Sequence, residues 1–78
     1  MTKKISNISL KVFRRYLEYE GCKLIRQKGG HEHWAKTELK RPITIQSHID
    51  PVPEFIIKNA LRILGKTKKD LINWLENK

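Results

Sequence analysis

The chain has 78 residues, of which 38% are apolar, so the sequence predicts one domain with one modest hydrophobic core. Its 17 basic and 8 acidic residues give a formal net charge of +9. This charge favours RNA, DNA, an acidic protein or an anionic membrane as partner, although a basic surface can also serve solubility alone.

The sequence has no pattern typical of a targeting or membrane segment. Its longest apolar runs, such as residues 55–57, are far too short to cross a bilayer. Residues 1–5 are basic but lack the apolar region and cleavage site of a signal peptide. The single cysteine, Cys22, excludes an intrachain disulfide framework. We therefore expect a cytoplasmic protein that does not contact a membrane.

The first predicted element is an amphipathic helix. Residues 1–8 are predicted to be a loose leader, and Ser9 is a candidate N-cap. An apolar stripe then recurs at helical spacing, made of Leu10, Phe13, Tyr16 and Leu17. Gly21 is placed to end this helix as its C′ residue.

Three strands are predicted next. Residues 22–27 form the first strand and residues 31–36 form the second. Between them, Lys28-Gly29-Gly30 forms a tight turn in which both glycines can adopt positive φ. Residues 41–46 alternate β-branched and polar side chains, which predicts a third strand with Pro42 near its start.

Two helices complete the predicted chain. After a loop over residues 47–53, Pro53 suits a first helical turn, and Gly65 ends the helix. Its apolar stripe is Ile57, Ala60, Leu61 and Leu64. Thr67 and Asp70 resemble a capping box that opens a short last helix. Its apolar residues are Leu71, Ile72, Trp74 and Leu75. The element order predicts an α+β domain, with helices on one face of a three-stranded antiparallel sheet.

His31 and His33 are candidates for chemistry on the other face of that sheet. Side chains alternate along a strand, so these histidines share one face while Glu32 and Trp34 point to the opposite one. Imidazole exchanges protons near neutral pH, and RNA carries its own nucleophile, the 2′-hydroxyl. His31 can therefore support RNA cleavage, with His33 and His48 as auxiliary residues. An ordinary exposed strand histidine is the alternative.

A metal site is a weaker hypothesis. His31 and His33 could ligate a metal with His48 or Cys22 as third ligand, but no spacing supports a complete set. We therefore expect no metal and no other cofactor. Trp34 and Trp74 could stack on bases, although tryptophans in a small domain more often belong to the core.

Basic residues surround the predicted strands. The expected RNA contacts, including the two turn glycines, are Arg26, Lys28, Gly29, Gly30, Lys36, Lys40 and Arg41. The polar side of the first helix adds Lys11, Arg14 and Arg15. Each of these cations taken singly can also be a solvated surface charge.

The ordered set of motifs resembles the HicA family of bacterial toxins, the RNA-cleaving partners of HicB antitoxins. The resemblance covers nearly the whole chain. The matching features are the leading amphipathic helix with Gly21, the stretch 26–31 ending in His31, Trp34, the stretch 41–45, His48 and the helix ending at Gly65. The family's catalytic histidine maps onto His31.

The resemblance implies a fold similar to a double-stranded-RNA-binding domain and metal-independent cleavage of mRNA during translation. It also implies neutralisation by an antitoxin that covers the His31 face. The sequence departs from the family pattern at Gly30, which replaces the usual serine, and at Gln46, which replaces a frequent proline. Glu32 stands where a second histidine is common, so a carboxylate there could raise the imidazole pKa or repel RNA.

Three other functions remain open from the sequence. A module of the same fold could bind RNA without cutting it, and a basic face could simply dock an acidic protein partner. The substitutions at positions 30 and 32 could also mark an inactive descendant of a toxin.

Overall fold

The computed structural model describes residues 7–77, which form a helix, a three-stranded antiparallel sheet and two further helices. In chain order the elements are α1 (Leu10–Tyr19), β1 (Lys23–Lys28), β2 (His31–Ala35), β3 (Ile43–Gln46), α2 (Glu54–Leu64) and α3 (Lys68–Asn77). The predicted order and the α+β class are therefore confirmed. The strand ends differ from the predicted ones by one or two residues.

Local signals at both ends of α1 are confirmed. Ser9 is the N-cap, and its Oγ accepts a hydrogen bond from the Val12 N–H at 3.1 Å. Gly21 follows the C-cap with a φ of +93°. The predicted leader lies mostly outside the described residues, but it is wrong for Ile8. That side chain is buried, and its carbonyl accepts a hydrogen bond from the Val52 N–H at 2.9 Å.

The three strands pair in sequence order, with β2 in the centre. Lys28 pairs with His31 across the β1–β2 hairpin, and His31 pairs with Gln46 across β2–β3. Paired residues project from the same face of an antiparallel sheet, so this register decides which side chains surround His31. A register shift between Leu24 and Arg26 places an extra residue, Ile25, in β1.

The helices cover one face of the sheet and leave the other open. On the covered face, the side chains of Glu32, Trp34, Ile43 and Ile45 are buried, whereas His31 and Thr44 are exposed. The core joins this face to the apolar stripes of the helices. Its members are Ile8, Leu10, Phe13, Tyr16, Leu17, Cys22, Trp34, Ile43, Ile45, Val52, Ile56, Ile57, Ala60, Leu61 and Leu71. Strand β1 is exposed along its whole length, so it forms an edge that the helices do not cover.

The predicted helix signals in the second half are also present. Pro53 is the N-cap of α2 and not part of its first turn as predicted, so the helix begins at Glu54; Gly65 ends the helix in the left-handed conformation. Thr67 and Asp70 form the predicted capping box, because each side chain accepts a hydrogen bond from the other residue's backbone N–H. In α3 only Leu71 is fully buried. No helix within residues 7–77 is long and apolar enough to cross a membrane.

Candidate active site on the open face of the sheet

His31 is the first residue of β2, and its side chain is exposed on the open face. Its direct neighbours across the strands are Lys28 on β1 and Gln46 on β3. The ring forms no hydrogen bond or ion pair with the described part of the chain. Both ring nitrogens are therefore available to an incoming molecule, with a lysine on the adjacent strand.

His33 lies one row further along the same face and is held more firmly. Its Nδ1 lies 3.1 Å from the Thr44 hydroxyl on β3, and its side chain is partly buried. Arg26 pairs with it from β1. Because its ring is partly buried as well as held at Nδ1, His33 is less accessible to reacting atoms than His31 and is better suited to positioning a substrate.

His48 lies against the hairpin turn that precedes His31. The Gly30 carbonyl accepts a hydrogen bond from the Ser47 N–H at 2.7 Å, and the Nδ1 of His48 lies 3.3 Å from the same oxygen. A carbonyl can only accept, so the Nδ1 of His48 must carry the proton in this contact. The other nitrogen, Nε2, is then the one that can exchange a proton with a ligand.

The two turn glycines have different roles, which corrects the prediction that both use positive φ. Gly29 adopts a φ of +59°, whereas Gly30 does not lie in the left-handed region. A Cβ on Gly30 would lie only 2.3 Å from Nδ1 of His48. Gly30 is therefore glycine because the imidazole of His48 occupies the space of a side chain. The serine typical of HicA toxins would displace that ring.

Glu32 does not face His31, so the expectation that its carboxylate acts on the imidazole or on RNA is wrong. Its side chain is 2% exposed and lies on the covered face. Arg14 donates from Nε to Oε1 at 3.1 Å and from Nη2 to Oε2, and Trp34 donates from Nε1 to Oε1 at 3.1 Å. The bond from Arg14 is the main reason that the pKa of Glu32 is lowered.

These contacts also correct the roles expected of two neighbours. Arg14 is committed to Glu32 instead of being a free cation for phosphate. Trp34 is a buried core residue and offers no face to a base. Trp74 packs against Tyr16 with ring centroids 5.3 Å apart, which places it in the helical layer.

The predicted cations fall into two groups. Arg26 and Lys28 project from the open face beside the histidines. Lys36, Lys40 and Arg41 lie at the opposite end of the sheet. At about 3.3 Å per residue, Lys36 is about 16 Å along the strand direction from His31. Its Nζ donates to the Glu20 carbonyl at 3.0 Å, and thus ties β2 to the end of α1.

A groove between β3 and α2 also opens beside His31, and its helical residues were not predicted. The sheet contributes His31, Thr44 and Gln46 to a volume of about 550 Å³. The lining residues from α2 are Phe55, Ile56, Lys58, Asn59 and Arg62. The sequence carried a usable signal, because positions 55, 58, 59 and 62 share one helical face beside the apolar stripe. The sequence could not show that this face lies next to His31.

The residues considered for a metal do not form a ligand set. Cys22 is buried, and burial raises the pKa of its thiol. Within residues 7–77, no three His, Cys, Asp or Glu side chains are grouped so that they could hold a metal ion.

No protein-family model, curated protein or solved structure matches this chain. What can be proposed about its function therefore depends on the side chains around the open face and on their arrangement.

Proposed function

We propose that this chain is a metal-independent endoribonuclease that cleaves mRNA in the cytoplasm, a toxin of the HicA type. The observation that carries the proposal is the exposed, uncommitted imidazole of His31, with Lys28 directly across from it and His48 seated on the adjoining turn. The HicA-like order of motifs along the sequence gives independent support.

The reaction needs no nucleophile from the protein. The 2′-oxygen of a ribose attacks the adjacent phosphorus and forms a new O–P bond, while the bond from phosphorus to the 5′-oxygen breaks. One imidazole removes the 2′-hydroxyl proton and another protonates the 5′-oxygen. The products are a 2′,3′-cyclic phosphate and a 5′-hydroxyl. Lys28 and Arg26 stabilise the negative charge that builds on the phosphate.

The three histidines divide these roles. His31 is the proton-transfer residue because its ring is exposed and unpaired within residues 7–77. His48 is exposed and its Nε2 is available, which makes it the second candidate for acid or base, whereas the partly buried His33, held against Thr44, is a positioning residue.

The proposed protein partner is a HicB-like antitoxin that covers the His31 face. The exposed charges around His31, including Lys28, Lys58 and Arg62, are positive, so an inhibitor would need an acidic surface. Such a surface would block RNA from the same cations.

The test is cleavage of an end-labelled RNA in the presence of a chelator. We expect the native chain to cut the RNA, and His31→Ala to lose about 10²–10⁴-fold in rate, the usual contribution of a positioned acid or base. His31 is exposed, so the variant should keep the native circular dichroism spectrum and unfolding midpoint. Asn73→Ala, an exposed change on α3, is the matched control and should cut normally.

Each other outcome contradicts the proposal in a different way. Undiminished cleavage by His31→Ala would refute the catalytic assignment, and cleavage abolished by the chelator would favour the metal hypothesis. A mobility shift without cleavage would favour an RNA-binding module. Absence of growth arrest on expression, or an arrest that His31→Ala does not relieve, would contradict the assignment as a toxin that acts through His31.

A further inference from the structure

We infer that the groove between β3 and α2 binds one unpaired nucleotide of the RNA next to the scissile phosphate, with Phe55 as the platform on which its base stacks. This inference rests on the proposed function and adds to it a subsite for one unpaired nucleotide. It also adds Phe55 as a residue for substrate binding, which was not among the residues predicted from the sequence.

Phe55 is the most exposed large apolar side chain of the described chain. It is 68% exposed at the start of α2, whereas Ile56 and Ile57 beside it are buried. An aromatic ring left in water next to cations is typical of proteins that stack single-stranded bases. In a duplex the bases are already stacked and paired, so Phe55 would find no free base face there.

The charge of the groove fits a nucleotide. Lys58 and Arg62 line it, and none of its lining residues is acidic. Glu54 is exposed in the first turn of α2 but is not part of the lining. The occupant is therefore expected to carry negative charge in addition to an aromatic face, as a nucleotide does.

The groove also offers polar groups for the edge of a base. Gln46, Thr44 and Asn59 line it, and the two amides can each donate and accept hydrogen bonds. Its volume of about 550 Å³ lies within the usual range for sites that bind small ligands. One nucleotide is therefore a suitable occupant.

Arg62 links this groove to a second basic surface. It also lines an adjoining groove whose other charged residues are Lys40, Arg41 and Glu38, so the lining is net positive. A strand that places its phosphate at His31 and its base on Phe55 can continue past Arg62 toward these cations. This path gives Lys40 and Arg41 a phosphate-binding role, although they lie far from His31 along the sheet.

Two measurements test the subsite. The first is cleavage kinetics on a single-stranded RNA oligonucleotide. We expect Phe55→Ala and Phe55→Leu to raise KM about tenfold, in line with the loss of one stacked base, and to raise KM more than they lower kcat. Phe55→Trp should keep KM near the native value, because it preserves the aromatic face.

The second measurement is fluorescence anisotropy with a 2′-O-methyl oligonucleotide, which cannot be cleaved. The same order of affinities is expected, with Trp close to Phe, and Ala and Leu both about tenfold weaker. This arm separates the two proposals. If the native chain cuts no RNA, the proposed function fails, while the anisotropy still reports on the subsite.

Three results would overturn the inference. One is equal affinity of the native chain and both Phe55→Ala and Phe55→Leu for the oligonucleotide. Another is that Phe55→Leu keeps the native affinity while Phe55→Ala loses affinity, because an apolar side chain would then be sufficient and stacking would not be needed. The third concerns self-association. If Phe55→Ala binds RNA with native affinity but abolishes a self-association that sedimentation detects in the native chain, the ring belongs to a protein interface.

Discussion

Glu32 is the charged side chain that the described fold buries, and it connects α1 to the sheet. Strand alternation correctly placed it on the face of Trp34. Its partner Arg14 could not be predicted, because the guanidinium comes from a helix 18 residues away. Arg14, predicted as a cation available to RNA, is therefore part of the structural framework, and the carboxylate of Glu32 lies on the face of the sheet opposite His31.

This pairing makes stability depend on pH in a defined direction. The pKa of Glu32 is lowered in the folded state, so its charge stabilises the fold above the unfolded pKa of about 4.3 and ceases to do so as pH falls through the folded value. We expect Glu32→Gln to lower the free energy of unfolding by about 1–3 kcal/mol at about pH 7, as measured by urea denaturation. The loss should shrink as pH falls through the lowered pKa of Glu32, because the native carboxylate then also becomes protonated.

Arg14→Ala provides the complementary control. It leaves a buried carboxylate without its main partner, which costs about 3–5 kcal/mol in fully buried pairs. Arg14 is itself 37% exposed, so we expect a loss at or below the lower end of that range. The double variant should be more stable than the two single losses added together predict. If the loss in free energy of unfolding caused by Glu32→Gln stays constant as the pH is lowered from neutral into the acidic range, this account is wrong.

At the level of elements, the hairpin turn and the loop after β3 act together. The carbonyl of Gly30 is contacted from Ser47 and His48, and Asp50 accepts a hydrogen bond from the Leu10 N–H at 2.9 Å. The loop is therefore held at one end by the turn and at the other by the start of α1. The contacts with Gly30 place His48 against the turn that precedes His31.

This contact predicts the outcome of introducing at position 30 the serine that is typical of HicA toxins. Gly30→Ser should displace the ring of His48 and lower cleavage, instead of raising it, because the new Cβ occupies the place of Nδ1. In proton NMR spectra, the chemical shifts of the His48 ring protons should differ between Gly30→Ser and the native chain. The unfolding midpoint should change little, since the displaced ring is exposed.

A double variant checks the cause. If Gly30→Ser acts through His48, it should have no further effect on cleavage in a His48→Ala background. Equal effects of Gly30→Ser with and without His48 would mean that the serine acts elsewhere, on the turn or on His31.

At the scale of the whole molecule, the basic residues lie both beside His31 and far from it in the fold. The net charge of +9 predicts binding to polyanions but does not say where they bind. The structure distinguishes Lys28, next to His31 on the sheet, from Lys68 at the start of α3. Both are exposed lysines, so they offer a matched comparison.

Salt dependence can locate the RNA path on this surface. Affinity for a single-stranded oligonucleotide should fall with salt, and each phosphate contact contributes about 0.7 to the slope of log affinity against log salt. We expect Lys28→Gln to reduce that slope by about 0.7 and Lys68→Gln to leave it unchanged. Equal reductions would show that net charge alone governs binding and would contradict a specific role for the open face.

Much of the fold was predictable because its signals are local. The stripe of Leu10, Phe13 and Leu17, the Ser9 cap and the capping box of Thr67 and Asp70 depend on residues within one or two helical turns. Strand alternation likewise separated His31 from Glu32. These patterns predict secondary structure because the backbone geometry of helices and strands repeats every few residues.

The composition of the candidate site required the tertiary structure. Packing between elements brings together residues that are distant in the chain. It places position 14 next to 32, position 30 next to 48, and position 31 next to the stretch 55–62. The same packing buried Trp34, paired Arg14 with Glu32, and brought Phe55, Lys58 and Arg62 beside His31. Local sequence predicts which elements form and which faces they bury, whereas contacts between distant segments depend on how those faces pack against one another.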